Sequence, residues 1–248
     1  VNTLSSYTQR VGQRLGDRYA AVVLTGGSSR RLSGVDKTGL EVAGLAIRLR
    51  VLASVSDAAE LFVAGPRPQN GPELPQVRWI REDPPGGGPV AGIAAAATLV
   101  TSPVVVVLAG DLPFTYGVAD VLLARLSAAV TADGVVPVDA TGRLQPLAAA
   151  YRTDALRAGL NQLGDPRSKP IRDLLALMRI VNMPAGSLPE AALADVDTLD
   201  DLVAARIRAG HDFMGGSCVP LPQPPYCCAV GSPDQAAARP QERMALPA

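Results

Sequence analysis

Short apolar runs recur along the chain and alternate with longer amphipathic stretches. YAAVVLT (19–25), ELFVAG (60–65), VRWI (77–80) and PVVVVLAG (103–110) have the length and β-branched content of strands. The last is continuous rather than alternating, as in a parallel strand covered on both faces. GVVPV (134–138) and PLAAAYR (146–152) flank the polar turn DATGR and are expected to pair as neighbours, and RIVNM (179–183) is a further short strand. Helices are expected over 41–57, 89–100 and 118–130, the last carrying Val118, Val121, Leu122, Leu126 and Val130 near one face. The stretch 153–164 has Thr153 as N-cap and Gly164 just past its end, and 169–178 has a Pro near its start. DTLDDLVAARIRAG (197–210) begins acidic and ends basic with a glycine, which matches the helix dipole and the C-terminal cap.

This alternation predicts a three-layer α/β domain with a mostly parallel central sheet over residues 19–210. Residues 1–18 form an N-terminal segment without a hydrophobic signal core, so export by a signal peptide is not expected. From 211 to 248 the chain is rich in Pro, Gly and small residues without periodicity, and a disordered tail is expected there. No apolar run approaches the roughly 18 residues of a membrane span.

Composition narrows the partners. Of 248 residues, 23 are Lys or Arg and 23 Asp or Glu, so the net charge is zero. Nucleic acid and anionic membranes are therefore not expected as partners, and any anion must be held by local charge. The cysteines, Cys218, Cys227 and Cys228, all follow position 217, so no disulfide framework holds the core, as suits a cytoplasmic protein. The adjacent Cys227 and Cys228, with His211 ahead of them, are poorly spaced for zinc.

The chemistry concentrates in LTGGSSRRLSGVDKTGL (24–40). A parallel strand delivers this stretch to the carboxyl edge of the sheet, where open α/β folds bind ligands. Gly26 and Gly27 permit a tight turn with exposed amides, and Arg31 and Lys37 supply charge for phosphate oxygens. The spacing fits neither a Walker loop nor a dinucleotide fingerprint. Asp111 ends the most apolar strand and so is placed at the same edge. A carboxylate there suits Mg²⁺, which takes one or two carboxylates plus phosphates and water. Asp195 and Asp197 are alternatives for a second carboxylate, and Asp197 is equally placed to be the N-cap of the last helix. Arg167, Lys169 and Arg172 form a basic cluster that reads either as a phosphate site or as a solvated face.

The glycine loop with its downstream Asp36-Lys37 resembles the signature of the molybdenum cofactor guanylyltransferase (MobA-like nucleotidyltransferase) family: Leu-Ala-Gly-Gly, then Arg-Met-Gly, then Asp-Lys. REDPPGGGPVAGI, VVVVLAGDLPF, RLQPLAAAYR, DPRSKPIRDLLALM and DVDTLDDLVAAR resemble its later motifs in the same order, and the likeness runs from about 19 to 208. The resemblance implies a Rossmann-like nucleotidyltransferase fold. It implies Mg²⁺-dependent transfer of GMP from GTP to molybdopterin, with release of pyrophosphate and formation of a guanine dinucleotide cofactor, and possible cofactor-delivery proteins as partners. Leu24, Thr25, Gly26 and Gly27 would meet the nucleotide, Arg31 and Lys37 the triphosphate, Asp83 the guanosine part, and Gly88 and Gly92 would bring a helix start close to the ligand. Asp111, with Asp197, would hold the metal. The alternatives are CTP as donor, a sugar phosphate as acceptor, or a non-catalytic nucleotide-binding adaptor. The chain departs from the pattern at Thr25 in place of Ala, at Leu32-Ser33 in place of Met-Gly, at AGPR (64–67), which lacks an Asn after the second strand, and at Leu199 where Pro is common.

Overall fold

The structure, a computed structural model, describes residues 19–26, 36–69, 71–83 and 85–214, with side chains through Gly210. Gly27, Arg31, Leu32, Ser33, the three cysteines and the expected tail beyond 214 lie outside the described residues.

Strand β1 (Tyr19–Leu24) is followed by a 3-10 turn (Lys37–Gly39), a small hairpin β2 (Glu41–Val42) and β3 (Leu45–Ala46), and helix α1 (Ile47–Ala53). Next come β4 (Glu60–Ala64), β5 (Val77–Ile80), α2 (Pro89–Ala97), β6 (Val104–Ala109), α3 (Val118–Ala128), β7 (Gly134–Val138) and β8 (Ala148–Arg152). The chain continues through α4 (Thr153–Leu163), α5 (Ile171–Leu175), β9 (Ile180–Pro184) and α6 (Leu199–Met214). The main sheet runs β5-β4-β1-β6-β8-β7-β9. All neighbouring pairs are parallel except those of β8, which is antiparallel to both β6 and β7.

The continuous apolar strands are explained by the two layers they face. In β6, Val104, Val106 and Leu108 point into one core with α1, α3 and α6, while Val105 and Val107 point into the other with α2, α4 and α5. Strand β1 divides in the same way, with Tyr19, Ala21 and Val23 against Ala20, Val22 and Leu24. The three-layer, mostly parallel architecture agrees with the expectation. So does the pairing of β7 with β8 across the 139–143 turn, where Asp139 accepts bonds from the amides of Thr141 (2.8 Å) and Arg143 (3.0 Å) and from the Gln145 amide group (2.7 Å).

Several expectations are corrected. Residues 41–46 are not helical: Ala43 (φ 51°) and Gly44 (φ 74°) form a two-residue left-handed turn that closes the β2–β3 hairpin. Thr153 is not a cap but the first residue of α4, and its buried hydroxyl donates to the Ser102 carbonyl at 2.7 Å. Val130 lies beyond the end of α3 and is exposed. The helix expected over 89–100 ends at Ala97, where Arg157 of α4 donates to the carbonyls of Ala97 (2.9 Å) and Val100, satisfying chain groups at that end.

Within the sheet, Gly134 pairs with Tyr151 and Ile180. A Cβ at that position would stand 2.6 Å from Tyr151 Cδ1 and 3.1 Å from Ile180 Cδ1. Gly134→Ala is expected to destabilise by about 1–3 kcal/mol through overpacking, read as a lower urea midpoint at unchanged slope.

Candidate active site

Four strand ends build the carboxyl edge. The ladder continues past the strands themselves: Thr25 N donates to Ala64 O (3.0 Å), Gly65 N to Ile80 O (3.0 Å) and Gly110 N to Leu24 O (2.8 Å). Because β8 is reversed, its entry also reaches this edge, with Ala109 N donating to Leu147 O at 2.6 Å. Gly110 is a requirement of close packing. An added Cβ there would stand 2.9 Å from both Leu24 O and Thr25 Cγ2, and 3.2 Å from Thr38 Cγ2. The ends of β1 and β6 and the Lys37–Gly39 turn therefore meet at one point, immediately before Asp111.

The turn that carries Lys37 is organised locally. Asp36 Oδ1 accepts from Thr38 N (3.0 Å) and Thr38 Oγ1 (2.7 Å), and Asp36 Oδ2 accepts from Arg48 Nη1 (3.2 Å). Asp36 thus shapes the turn, and Lys37 is left to reach across the edge. Its Nζ donates to Asp197 Oδ1 at 2.5 Å, with the lysine side chain mostly buried.

Asp195 and Asp197 flank Val196, whose amide donates to the Asp111 carbonyl at 3.1 Å. The charges of both act on Asp111. Burial, then the negative charges of Asp195 and Asp197, push the Asp111 carboxyl above its ordinary range, and the Lys37 charge offsets this only in part. Asp195 is raised as well, first by loss of hydration and then by Asp197 and Asp201. Asp197 is not the N-cap of α6. Thr198 takes that role, with its Oγ1 accepting from Asp201 N (3.2 Å) while Asp201 Oδ2 accepts from Thr198 N (2.7 Å). That reciprocal pair frees Asp197 to engage Lys37. The signal was present in Thr198-Leu-Asp-Asp201, three residues apart.

Lys37, Asp111 and Asp197, predicted from widely separated motifs, are therefore brought together, with Asp195 beside them. Among the described residues, no three metal-ligating side chains converge as a complete metal centre. The donor set fits a hard cation that draws its remaining ligands from phosphates and water. Thr25 and Gly26 lie at the same edge, while Leu24 buries its side chain in the core and its carbonyl accepts from Gly110 N.

The remaining predicted residues fall elsewhere. Asp83 is exposed on the loop after β5. Gly88 caps α2 with φ 87°, a left-handed conformation that glycine adopts without strain, and Pro89 takes the first helical position. Gly92 is placed in the helix–sheet interface rather than at a ligand surface. Its amide donates to Gly88 O (3.1 Å), and an added Cβ would stand 3.3 Å from Leu24 Cδ2 and 3.4 Å from Ala64 Cβ. It lets α2 lie close on the sheet. In the basic cluster, Arg167 is held by Asp165 (2.6–2.9 Å), and Ser168 N donates to Gly87 O (2.8 Å), which sets the cluster beside the start of α2. A cavity of about 570 Å³ lies between α6 and Phe114 and is bounded by Asp195 and Arg208, and none of the described residues predicted to hold nucleotide lines it.

Comparison with known proteins agrees with this fold. Residues 21–181 match the MobA-like NTP transferase domain. A probable molybdenum cofactor guanylyltransferase of Pelotomaculum thermopropionicum is 34% identical over 201 residues, covering 78% of this chain and 95% of that protein. One of Mycobacterium ulcerans is 35% identical, with 77% and 94% covered. Among solved structures, the molybdopterin-guanine dinucleotide biosynthesis protein A of Archaeoglobus fulgidus superposes with TM-score 0.59 at 22% identity, covering 77% of this chain and 98% of that one. The 2-C-methyl-D-erythritol 4-phosphate cytidylyltransferase of Thermus thermophilus superposes with TM-score 0.56 at 22% identity and the same coverage. At that identity both show a shared fold.

Proposed function

We propose that this chain, which belongs to the MobA-like NTP transferase family, uses its nucleotidyl-transfer fold to move GMP from GTP onto molybdopterin. An oxygen of the acceptor phosphate attacks the α-phosphorus, the bond to the β-phosphate breaks, and pyrophosphate leaves. The observation that carries the catalytic part is the meeting of Lys37, Asp111 and Asp197 at the carboxyl edge, beside the glycine-containing end of β1. Donor and acceptor are carried by the names of the relatives that align over more than three quarters of the chain.

The attack brings two anions together, so positioning and charge neutralisation dominate. Lys37 is the charge for the triphosphate and the departing pyrophosphate; a bound triphosphate competes with Asp197 for its ammonium. Arg31 is proposed as its companion. Asp111 and Asp197 would hold Mg²⁺, which when bound supplies charge neutralisation at the reacting phosphates. Asp111 is the stronger of the two candidates, because Lys37 already neutralises part of the Asp197 charge. The Leu24–Gly26 backbone orients the nucleotide, and Asp83 is proposed to face its base.

A CTP-dependent reading rests on the fold shared with the Thermus cytidylyltransferase. Turnover with molybdopterin, Mg²⁺ and either GTP or CTP, followed by pyrophosphate release, separates the readings. GTP is expected to exceed CTP by about 10-fold or more in kcat/KM. Equal or better turnover of CTP overturns the guanine assignment, and no turnover with either leaves a nucleotide-binding adaptor.

A further inference from the structure

We infer that the side-chain hydroxyl of Thr25 is a binding group for the nucleoside part of the triphosphate, an inference that rests on the nucleotidyl-transfer reading of the same edge. Thr25 is wedged between glycines at two neighbouring strand ends. A Cβ added at Gly65 would stand 2.4 Å from Thr25 Oγ1, and one at Gly110 would stand 2.9 Å from Thr25 Cγ2. These contacts turn the hydroxyl toward the β4 side and the methyl toward the β6 side, where Asp111 follows Gly110.

Among the described residues, Thr25 Oγ1 is a buried side-chain oxygen without a hydrogen-bond partner. The nearby backbone cannot supply its missing bonds cheaply, because Thr25 N, Gly65 N and Gly110 N and the carbonyls of Leu24 and Ala64 are all engaged in extending the sheet. A buried hydroxyl gives up its bonds to water, and without a replacement it destabilises the fold. An orphan of this kind at a ligand-binding edge is explained when the ligand supplies the bond. Lys37 and Asp111, the groups for phosphate and metal, lie on the methyl side. The hydroxyl is turned away from them, so its partner is a polar atom of the base or ribose rather than of the triphosphate. A Cβ at Gly65 would also stand 2.8 Å from Gly26 N, so the end of β4 has no room for a side chain beside Thr25.

The test uses the full chain and four proteins: wild type, Thr25→Val, Thr25→Ser and Thr25→Ala. Melting is measured without nucleotide. Dissociation constants are measured with Mg²⁺ for GTP, CTP and inorganic tripolyphosphate. Thr25→Val is nearly isosteric and is expected to melt at the wild-type temperature or higher, because the orphan is gone. It is expected to bind the preferred nucleotide about 5- to 10-fold more weakly, with tripolyphosphate affinity unchanged. Thr25→Ser is expected to restore most of the nucleotide affinity, and Thr25→Ala to repeat the loss should the Val protein not fold. Wild-type nucleotide affinity in both Val and Ala proteins overturns the inference, as does an equal loss for tripolyphosphate. If wild type binds neither nucleotide, the nucleotidyl-transfer reading falls and this inference with it. If wild type binds and the variants match it, this inference alone falls.

Discussion

Replacing Asp111 by Asn is expected to lower turnover at least ~100-fold while leaving the nucleotide-free protein as stable as wild type or more so. The two effects have one cause. Asp111 is held at the end of the central strand β6, largely away from water, with Asp195 and Asp197 nearby. Both burial and repulsion favour its neutral form, so its folded pKa stands above its unfolded value near 3.8. Between those two values the folded state binds the proton more readily than the unfolded state. The contribution of this group to stability is therefore fully present below the unfolded pKa and is lost as pH rises through the folded pKa. At neutral pH the carboxylate is a cost that the Asn variant removes. The measurements are kcat/KM with GTP and melting in the presence of a chelator. Unchanged turnover removes Asp111 from the reaction, and a clear loss of melting temperature in the chelated protein shows that it acts as a structural cap instead.

The second large effect is expected at Lys37. Lys37→Ala removes the ammonium that links the 37–39 turn to the α6 side of the edge, and kcat is expected to fall about 100-fold with a rise in KM for the triphosphate. The same change removes the Lys37 charge from Asp197, which stands beside Asp111 and Asp195. Because Asp197 is about one-third exposed (35%), screening limits the stability loss to about 1 kcal/mol. Adding Asp197→Asn should recover that stability without recovering turnover. A double variant that regains activity would mean that the pair holds the edge together and Lys37 does not serve the triphosphate. Single and double variants together separate the two roles.

Much of the scaffold was legible along the chain. VVVVLA of β6 is apolar at every position because both of its faces are covered, and with the strand–helix alternation it pointed to a three-layer, mostly parallel sheet. The end of the most apolar strand placed Asp111 at the carboxyl edge, and the stretch after the glycine turn supplied Lys37. The hairpin at 41–46 was not legible as such, because Ala43 does not advertise the left-handed backbone it adopts. Thr153 has the composition of a cap, yet its position beside Ser102 turned it into a buried link between α4 and the start of β6. Asp197 was equally suited to capping and to charge pairing, and only the Thr198–Asp201 exchange decided between them.

The sequence by itself determined the layers, the edge that carries the candidate site and most of the residue types brought there. These depend on local periodicity and on the residues that end each strand, which are properties of short segments. The tertiary structure decided which charges meet. Lys37 and Asp197 are 160 residues apart in the chain, and their pairing depends on the stacking of β1 beside β6 and on the Val196–Asp111 bond, neither of which a local pattern encodes. It also decided the place of Thr25. Its side chain lies between Gly65 and Gly110, residues brought to it by two different strands, and among the described residues its buried hydroxyl has no partner.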